Sequence, residues 1–250
     1  MLRVTYVWHS CFVVELDKSI LVFDYFPKEA APTVHFEGKM PELDADKHIY
    51  VFASHSHKDH FSLEVLRWRE KYPKITYIFS KDIRLGRAYL LRNGFEPEIK
   101  KQIHFVSVIE KYEIGDLVVE TLRSTDAGVA YLVQAEGLSI YHAGDLHWWN
   151  SGMEGELYTK TYGDAYKREL NRIKNRHIDL AFVVLDPRLG DAYYLGMEYF
   201  LKNMDVDLVF PMHMWKQYDL IDRFKRRPEL VGLSQKVVDI DRENIIFDLN

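Results

Sequence analysis

Short apolar segments separated by turns dominate the first fifty residues, a pattern typical of β-strands. Leu2, Val4, Tyr6 and Trp8 fall on one face of an extended chain, because side chains alternate sides along a strand. Strands are predicted in this part of the chain at 2–8, 11–16, 20–24 and 49–53. Short turns join the first three, and a longer loop rich in proline and acidic residues precedes the fourth.

Helical spacing appears after the fourth strand and alternates with further strands. Helices are predicted at 61–72, at 83–93, within 152–176 and at 197–204. The further strands are predicted at 75–79, near 103–106, at 117–122, 129–135, 138–142, 180–185 and 208–210, near 236–240 and at 245–249. Because the strands come in two groups with helices after each, the order predicts two mixed sheets face to face, flanked by helices. No repeat or linker divides the chain, so we expect one domain, residues 1–250.

Composition narrows the class of protein. A chain of 250 residues with 47% hydrophobic content can bury a full core. A net charge of −5 makes nucleic acid an improbable main partner, although it leaves room for a local basic groove. The single cysteine, Cys11, excludes an internal disulfide, and the N-terminus lacks a signal-like segment. We therefore expect a cytoplasmic protein without a membrane anchor, and the sequence leaves its oligomeric state open.

The segment 55–60 carries the strongest chemical signal in the chain. His55, His57, Asp59 and His60 follow the apolar run 49–53 directly. In an extended segment the first three side chains can point one way, and a turn can bring His60 round to join them. Imidazole together with carboxylate suits zinc, iron or manganese. The segment is therefore predicted to be a metal-binding loop at the end of a strand.

This H-x-H-x-D-H string resembles the signature of the metallo-β-lactamase superfamily. The resemblance implies an αββα four-layer sandwich of two mixed sheets and a site for two divalent metal ions, with zinc as the first choice and manganese or iron as alternatives. Asp145, placed after a strand by Gly144, resembles the bridging aspartate of the family, and His213 resembles its late histidine ligand.

The expected ligands divide into two sets around the bridging Asp145. Asp59, His60 and His213 are expected to hold one ion, and His55 and His57 the other. Most relatives supply a further histidine to the latter ion, but this chain has no histidine at 122–128. Only Asp126 can substitute there directly, and it can equally belong to an ordinary turn.

Further polar and aromatic residues are expected around the metals. The resemblance gives Asp24 the role of orienting the loop by hydrogen bonding, and His9 resembles a histidine of the branch that includes the ascorbate-phosphate lactonases. Candidates for the substrate mouth are His147, Trp148 and Trp149, although either tryptophan can equally be a core residue. Arg188 can bind an anionic group or pair with a neighbouring acid.

The candidate ligands predict a metal-dependent hydrolase that uses a metal-bound hydroxide. The resemblance to the lactonase-like branch implies an ester or lactone of a small molecule as the substrate. The candidate catalytic residues are Asp145, as the bridge, and Asp59, which could return a proton to the leaving group; a nearby histidine is the alternative proton donor. The alternatives are a phosphodiesterase for nucleotides or RNA ends, with Arg188 and the basic run 225–227 as anion contacts, and a degenerate, non-catalytic metal-binding scaffold. An oxygen-reducing di-iron protein would need an electron-donating partner.

Overall fold

The first half of the chain and its last strand form one sheet. The structure, a computed structural model, describes residues 1–31, 33–150 and 155–249. The strands of this sheet are β1 (Leu2–Trp8), β2 (Cys11–Glu15), β3 (Ser19–Phe23), β4 (His48–Ala53), β5 (Ile75–Ser80), β6 (Ile103–Val106) and β13 (Ile245–Leu249). Their spatial order is β13-β1-β2-β3-β4-β5-β6, antiparallel from β13 to β3 and parallel from β3 to β6.

The second sheet contains the remaining strands. They are β7 (Lys111–Ile114), β8 (Leu117–Arg123), β9 (Val129–Ala135), β10 (Leu138–His142), β11 (His177–Val184) and β12 (Asp205–Met212), in the order β12-β11-β10-β9-β8-β7. β10, β11 and β12 run parallel, whereas β7 to β10 form antiparallel pairs. Both sheets are therefore mixed, as predicted.

Alternate residues of the first sheet face two different apolar cores. Tyr6 and Phe52 point toward the second sheet and join a cluster that includes Phe182. Val7 and Val51 point the other way, where they pack with Leu66 and other residues of the segments between strands. Because β-strand side chains alternate sides, apolar residues cover both faces of this sheet.

The α-helices lie outside the two sheets. They are α1 (Arg87–Arg92), α2 (Gly155–Asn171), α3 (Leu195–Asn203) and α4 (Asp219–Lys225). Phe200 of α3 stacks on Tyr141 of β10 at 5.2 Å between ring centroids, which anchors this helix to the second sheet. The predicted αββα sandwich is thus confirmed. Among the described residues, no helix has both the length and the apolar content needed to cross a membrane.

Three local predictions were wrong. The segment predicted as a helix at 61–72 contains a 3₁₀ helix, Leu63–Glu70, and the Val65 carbonyl accepts a hydrogen bond from the Tyr77 hydroxyl at 2.9 Å. The predicted helix 83–93 is reduced to α1, because the chain is still extended at Gly86. The predicted strand 236–240 makes only one bridge, between Val237 and Val209. Residues 151–154, the start of the predicted polar helical region, lie outside the described residues.

Candidate metal centre

The candidate ligands meet at one edge of the sandwich, because the parallel strands of both sheets end there. His55 follows β4, Asp145 follows β10 and His213 follows β12. The hairpins add two more: His9 lies in the turn between β1 and β2, and Asp126 lies between β8 and β9. Segments far apart in sequence thus converge at the edge where side chains follow the carboxyl ends of strands.

The first cluster consists of His55, His57, Asp126 and Asp145, whose donor atoms all lie within 4.8 Å of one another. His55 Nε2 is 3.6 Å from an Asp145 oxygen, Oδ2, and His57 Nδ1 is 3.5 Å from Asp126 Oδ2. Donor atoms around a tetrahedral zinc ion lie roughly 3.3–3.6 Å apart, given metal–ligand distances of about 2.0–2.2 Å. The first cluster therefore has the spacing of a metal site and includes Asp126, where most relatives are expected to have histidine.

The second cluster consists of His9, Asp59, His60 and His213, again with donor atoms within 4.8 Å of one another. Asp59 Oδ2 is 3.5 Å from His9 Nε2 and 3.9 Å from Nε2 of both His60 and His213. His9 thus lies among the candidate ligands, whereas the sequence suggested only a role near the site. It is fully buried, so it takes no part in a substrate mouth.

Asp145 faces both clusters with different oxygen atoms. Its Oδ2 points to His55 of the first cluster, while its Oδ1 is 3.2 Å from His60 Nε2 and 3.6 Å from His213 Nε2 of the second. This is the arrangement that a carboxylate shared by two cations requires.

The atoms at the centre of the second cluster have the properties of metal ligands. His60 Nε2, His213 Nε2 and Asp145 Oδ1 are almost inaccessible, yet none has a hydrogen-bond partner among the described residues. Leaving a buried polar atom unpaired costs about 1–3 kcal/mol, so such atoms are rare and call for an explanation. Several of them aimed at one point fit a bound cation.

Asp24 orients a ligand of each cluster. Its Oδ2 accepts hydrogen bonds from His60 Nδ1 at 2.8 Å and from Ser54 Oγ at 2.6 Å. Since the Ser54 hydroxyl proton goes to Asp24, this hydroxyl is left to accept from His55 Nδ1, 2.9 Å away. In the neutral form that ligates a metal, both histidines would therefore carry their proton on Nδ1 and turn the lone pair of Nε2 toward the metal positions. Residues that hydrogen-bond to metal ligands commonly orient them in this way.

Asp186 plays the same part for His213, and the sequence reasoning overlooked it. Its Oδ2 accepts from His213 Nδ1 at 2.8 Å, and the Arg188 side chain donates to both of its oxygens through Nε and Nη2. Burial alone would raise the pKa of Asp186, but His213 and Arg188 outweigh it and hold the pKa below its usual range. The available signal was an aspartate two residues after the end of the buried strand β11.

The backbone is in uncommon conformations at several of these positions. His9, Asp24 and His213 have positive φ angles of 50°, 46° and 67°. Non-glycine residues rarely adopt this region, and where they do the surrounding structure must enforce it. Gly144, just before Asp145, has φ 54°, and an added Cβ would lie 2.8 Å from the Val129 carbonyl oxygen. This turn therefore requires glycine to bring Asp145 to the clusters.

The electrostatics of the site favour a cation. Burial lowers the pKa of His60, but the carboxylates of Asp145 and Asp24 outweigh burial and raise it to about 9. Burial and the neighbouring Asp145 also raise the pKa of Asp126. The pKa of Asp59 is lowered despite its burial, because His9, His60 and His213 stabilise its charge. An ionised Asp59 suits metal binding, and its role in returning a proton to the leaving group stays a prediction.

A cavity of about 410 Å³ opens over the clusters, within the range typical of small-molecule sites. It is lined by His57, Asp59, Asp126, Asp145, Trp149, Asn150, Tyr158, Tyr162, Arg188, Leu189 and His213. Trp149 and two tyrosines of α2 form its aromatic surface. Arg188 lines the cavity, where it could bind an anionic group, and it also pairs with the neighbouring acid Asp186. Its position is therefore compatible with both predicted roles.

Two residues expected at the substrate mouth do not line this cavity. His147 is fully buried beneath α3, so close to Gly196 that an added Cβ there would overlap its ring. Trp148 packs against Gly163 of α2 and donates from its indole to the Thr159 carbonyl at 3.1 Å. The turn after Asp145 therefore directs His147 and Trp148 into the packing of the helices and leaves Trp149 at the cavity.

Comparisons with known proteins agree with this fold and site. The family model described as the β-lactamase superfamily domain matches residues 3–154, more than half of the chain. The chain therefore belongs to the metallo-β-lactamase superfamily. A UPF0173 metal-dependent hydrolase from Opitutus terrae is 28% identical over 228 residues, which cover 85% of this chain and 84% of that protein. The predicted class, a metal-dependent hydrolase of this superfamily, is confirmed at this level.

Solved structures with the same fold are more distant in sequence. Igni18, a metallo hydrolase from Ignicoccus hospitalis, has a TM-score of 0.59 and 18% identity, covering 100% of this chain and 99% of its own. CmlA, a diiron β-hydroxylase from Streptomyces venezuelae, has a TM-score of 0.62 and 14% identity, covering 99% of this chain and 54% of its own. Since a hydrolase and a hydroxylase share the fold, the fold alone does not determine the reaction.

Proposed function

We propose that the protein hydrolyses an ester or lactone bond of a small molecule at a site for two divalent cations, with zinc as the first choice. The observation that carries this proposal is the position of Asp145, whose two oxygens face two separate ligand clusters at the floor of one cavity. When bound there, two cations supply an activated water at neutral pH and polarise the bond that is attacked.

The residues of the chain supply the positions for this chemistry. His55, His57 and Asp126 would hold one cation, His9, Asp59, His60 and His213 the other, and Asp145 both. Asp59 is ionised and lines the cavity, so it serves as a proton acceptor beside the attacking water.

The surface charges favour this reaction over cleavage of RNA or nucleotides. In the basic run 225–227, Lys225 pairs with Asp239, Arg226 with Asp222 and Arg227 with Glu198. Each of these cations has an acidic neighbour, and none of them lines the cavity above the clusters. A degenerate scaffold is disfavoured as well, because both clusters have a full set of donor atoms at ligand spacing.

Metal content and substrate choice test the proposal together. We expect about two ions per chain by elemental analysis after zinc or manganese is restored, and turnover of simple lactones in excess of bis(4-nitrophenyl) phosphate. Asp145→Ala should abolish turnover and lower the metal content, since it removes a donor from both positions. Turnover of the phosphodiester alone would support a phosphodiesterase instead. Fewer than one bound ion per chain, with no turnover of either substrate, would favour a non-catalytic scaffold.

A surface cluster provides the matched control. His177, Asp179 and Asp207 also have donor atoms within 4.8 Å of one another, but they are exposed or half-buried at the start of β11 and β12. His177→Ala should change neither metal content nor turnover. A loss of one ion in this variant would show that the second ion binds at the surface and not at Asp145.

A further inference from the structure

Arg188 presents one face of its guanidinium group to Asp186 and a different face to the cavity. Its Nε and Nη2 atoms donate to the Asp186 carboxylate at 2.6–3.0 Å, which is the side-on fork of an arginine. The end-on fork, formed by Nη1 and the second N–H of Nη2, has no acceptor among the described residues. The side chain is 56% exposed and lines the cavity.

The surroundings hold this guanidinium group in place. Asp186 is fully buried and is itself fixed by His213. On another side, the guanidinium carbon lies 4.8 Å from the centre of the Trp215 ring, a cation–π contact. An arginine whose rotamers are already fixed loses little entropy when it binds a further group, so its free fork is preorganised for a ligand.

Arg188 is also the sole basic side chain, other than histidine, among the described residues that line the cavity. The carboxylates there belong to the metal clusters, so bound cations would neutralise them. What remains for the substrate is one guanidinium fork and an aromatic surface. This surface includes Trp149 and the mutually tilted rings of Tyr158 and Tyr162, whose centroids are 4.3 Å apart.

We infer that the enzyme selects substrates that carry an oxyanion group, a carboxylate or a phosphate, next to the scissile ester or lactone, and that Arg188 binds this group through its end-on fork. The apolar part of the substrate packs against the aromatic surface. This inference rests on the proposed hydrolase function and specifies its substrate class. No bond of Arg188 to Asp186 needs to break, because the two forks of the guanidinium group are used at the same time.

A pair of nearly isosteric lactones tests the inference. γ-Valerolactone carries a methyl group where 5-oxotetrahydrofuran-2-carboxylate carries a carboxylate, and proton release reports the hydrolysis of both. We expect a higher kcat/KM for the carboxylate, and a fall in the carboxylate-to-methyl ratio of about 10- to 100-fold in Arg188→Gln, the range for a hydrogen-bonded charged contact. Arg188→Lys should give an intermediate ratio, because it keeps the charge and loses the fork.

The neutral lactone separates recognition from damage to the metal centre. Loss of the Arg188–Asp186 contact can disturb His213, which would slow both lactones equally and leave the ratio unchanged. Arg223→Gln is the matched control: Arg223 is 57% exposed, pairs with Asp191 at 3.4 Å and lies 4.6 Å from the Tyr193 ring centre, but it does not line the cavity. The carboxylate-to-methyl ratio of kcat/KM in Arg223→Gln should equal that of the unaltered enzyme. An unchanged ratio in Arg188→Gln overturns the inference.

A binding measurement that needs no turnover shows whether the anion site or the proposed hydrolase function has failed. Calorimetric titration with succinate and with inorganic phosphate should show tighter binding to the unaltered protein than to Arg188→Gln, and the stronger of the two ligands identifies the kind of oxyanion. If neither lactone is hydrolysed but this difference is seen, the hydrolase proposal fails and the anion site stands. If both lactones are hydrolysed and neither anion distinguishes the two proteins, only the anion site fails.

Discussion

Asp186 should control the affinity of one metal position and leave the other unchanged. Its fully buried carboxylate is linked to the second cluster through His213, and its ion pairs among the described residues involve only His213 and Arg188. Asp186→Asn keeps the size of the side chain but removes its charge and turns an amide N–H₂ toward donors of His213 or Arg188. Changes to such partners of metal ligands typically cost 10- to 100-fold in affinity, or about 1.4–2.8 kcal/mol. We expect the upper half of this range, because the lost contacts are buried and charge-assisted.

The measurement is a competition titration against a chelator, which resolves two dissociation constants. We expect one constant to rise in Asp186→Asn and the other to stay within a factor of about 2, close to the precision of such titrations. Because the pKa of Asp186 is depressed, its contribution to stability is present above the unfolded value of about 3.9 and is lost only as the pH falls below it. The effect on affinity should therefore be constant at neutral and alkaline pH.

Asp191→Asn is the matched control, since Asp191 also pairs with an arginine but is fully exposed. Both constants should remain unchanged in this variant. Equal weakening of both metal positions in Asp186→Asn, or no weakening of either, would show that His213 does not ligate a metal through the geometry described.

Three further predictions concern single side chains. Gly144→Ala should lower the free energy of unfolding in urea by about 3 kcal/mol or more, because its Cβ meets backbone at a positive φ, whereas Gly137→Ala, with φ 87° and open space, should cost only about 1 kcal/mol. His9→Ala and Asp126→Ala should each raise one of the two metal dissociation constants, a different one in each variant. If Asp126→Ala leaves metal binding unchanged, Asp126 is only part of a turn. Tyr77→Phe should cost about 1–2 kcal/mol in the same urea assay, since it removes a buried hydrogen bond to the Val65 carbonyl, and a cost near zero would contradict that contact.

The sheets and the metal loop could be predicted because their signals are local. Apolar alternation predicts β1, a continuous apolar run predicts β4, and four ligand-type residues at 55–60 closely follow β4 in sequence. Local signals are weaker for the 3₁₀ helix Leu63–Glu70, where a hydrogen bond from the distant Tyr77 satisfies a carbonyl that a longer α-helix would use itself.

The positions of His9 and Asp186 depend on contacts between distant parts of the chain. The His9 carbonyl accepts from the His213 backbone N–H at 3.2 Å, so the first hairpin reaches the site only once β12 is in place beside it. Asp186 acquires its role because β11 and β12 are parallel neighbours whose ends meet. Neither contact has a signature in the sequence around the residue, so composition and spacing could suggest candidates but could not assign them to a cluster.

Asp24 should differ from Asp186 by acting on both metal positions. Its carboxylate holds His60 of the second cluster directly and His55 of the first through Ser54. Asp24→Asn should therefore raise both dissociation constants by about tenfold or more, whereas Ser54→Ala, which interrupts only the path to His55, should raise one. Near-UV circular dichroism and urea unfolding would identify any loss of folding, since Asp24 is fully buried at a positive φ. If folded Asp24→Asn lost affinity at one position only, the two clusters would not share this support, and the coupling between them would rest on Asp145 alone.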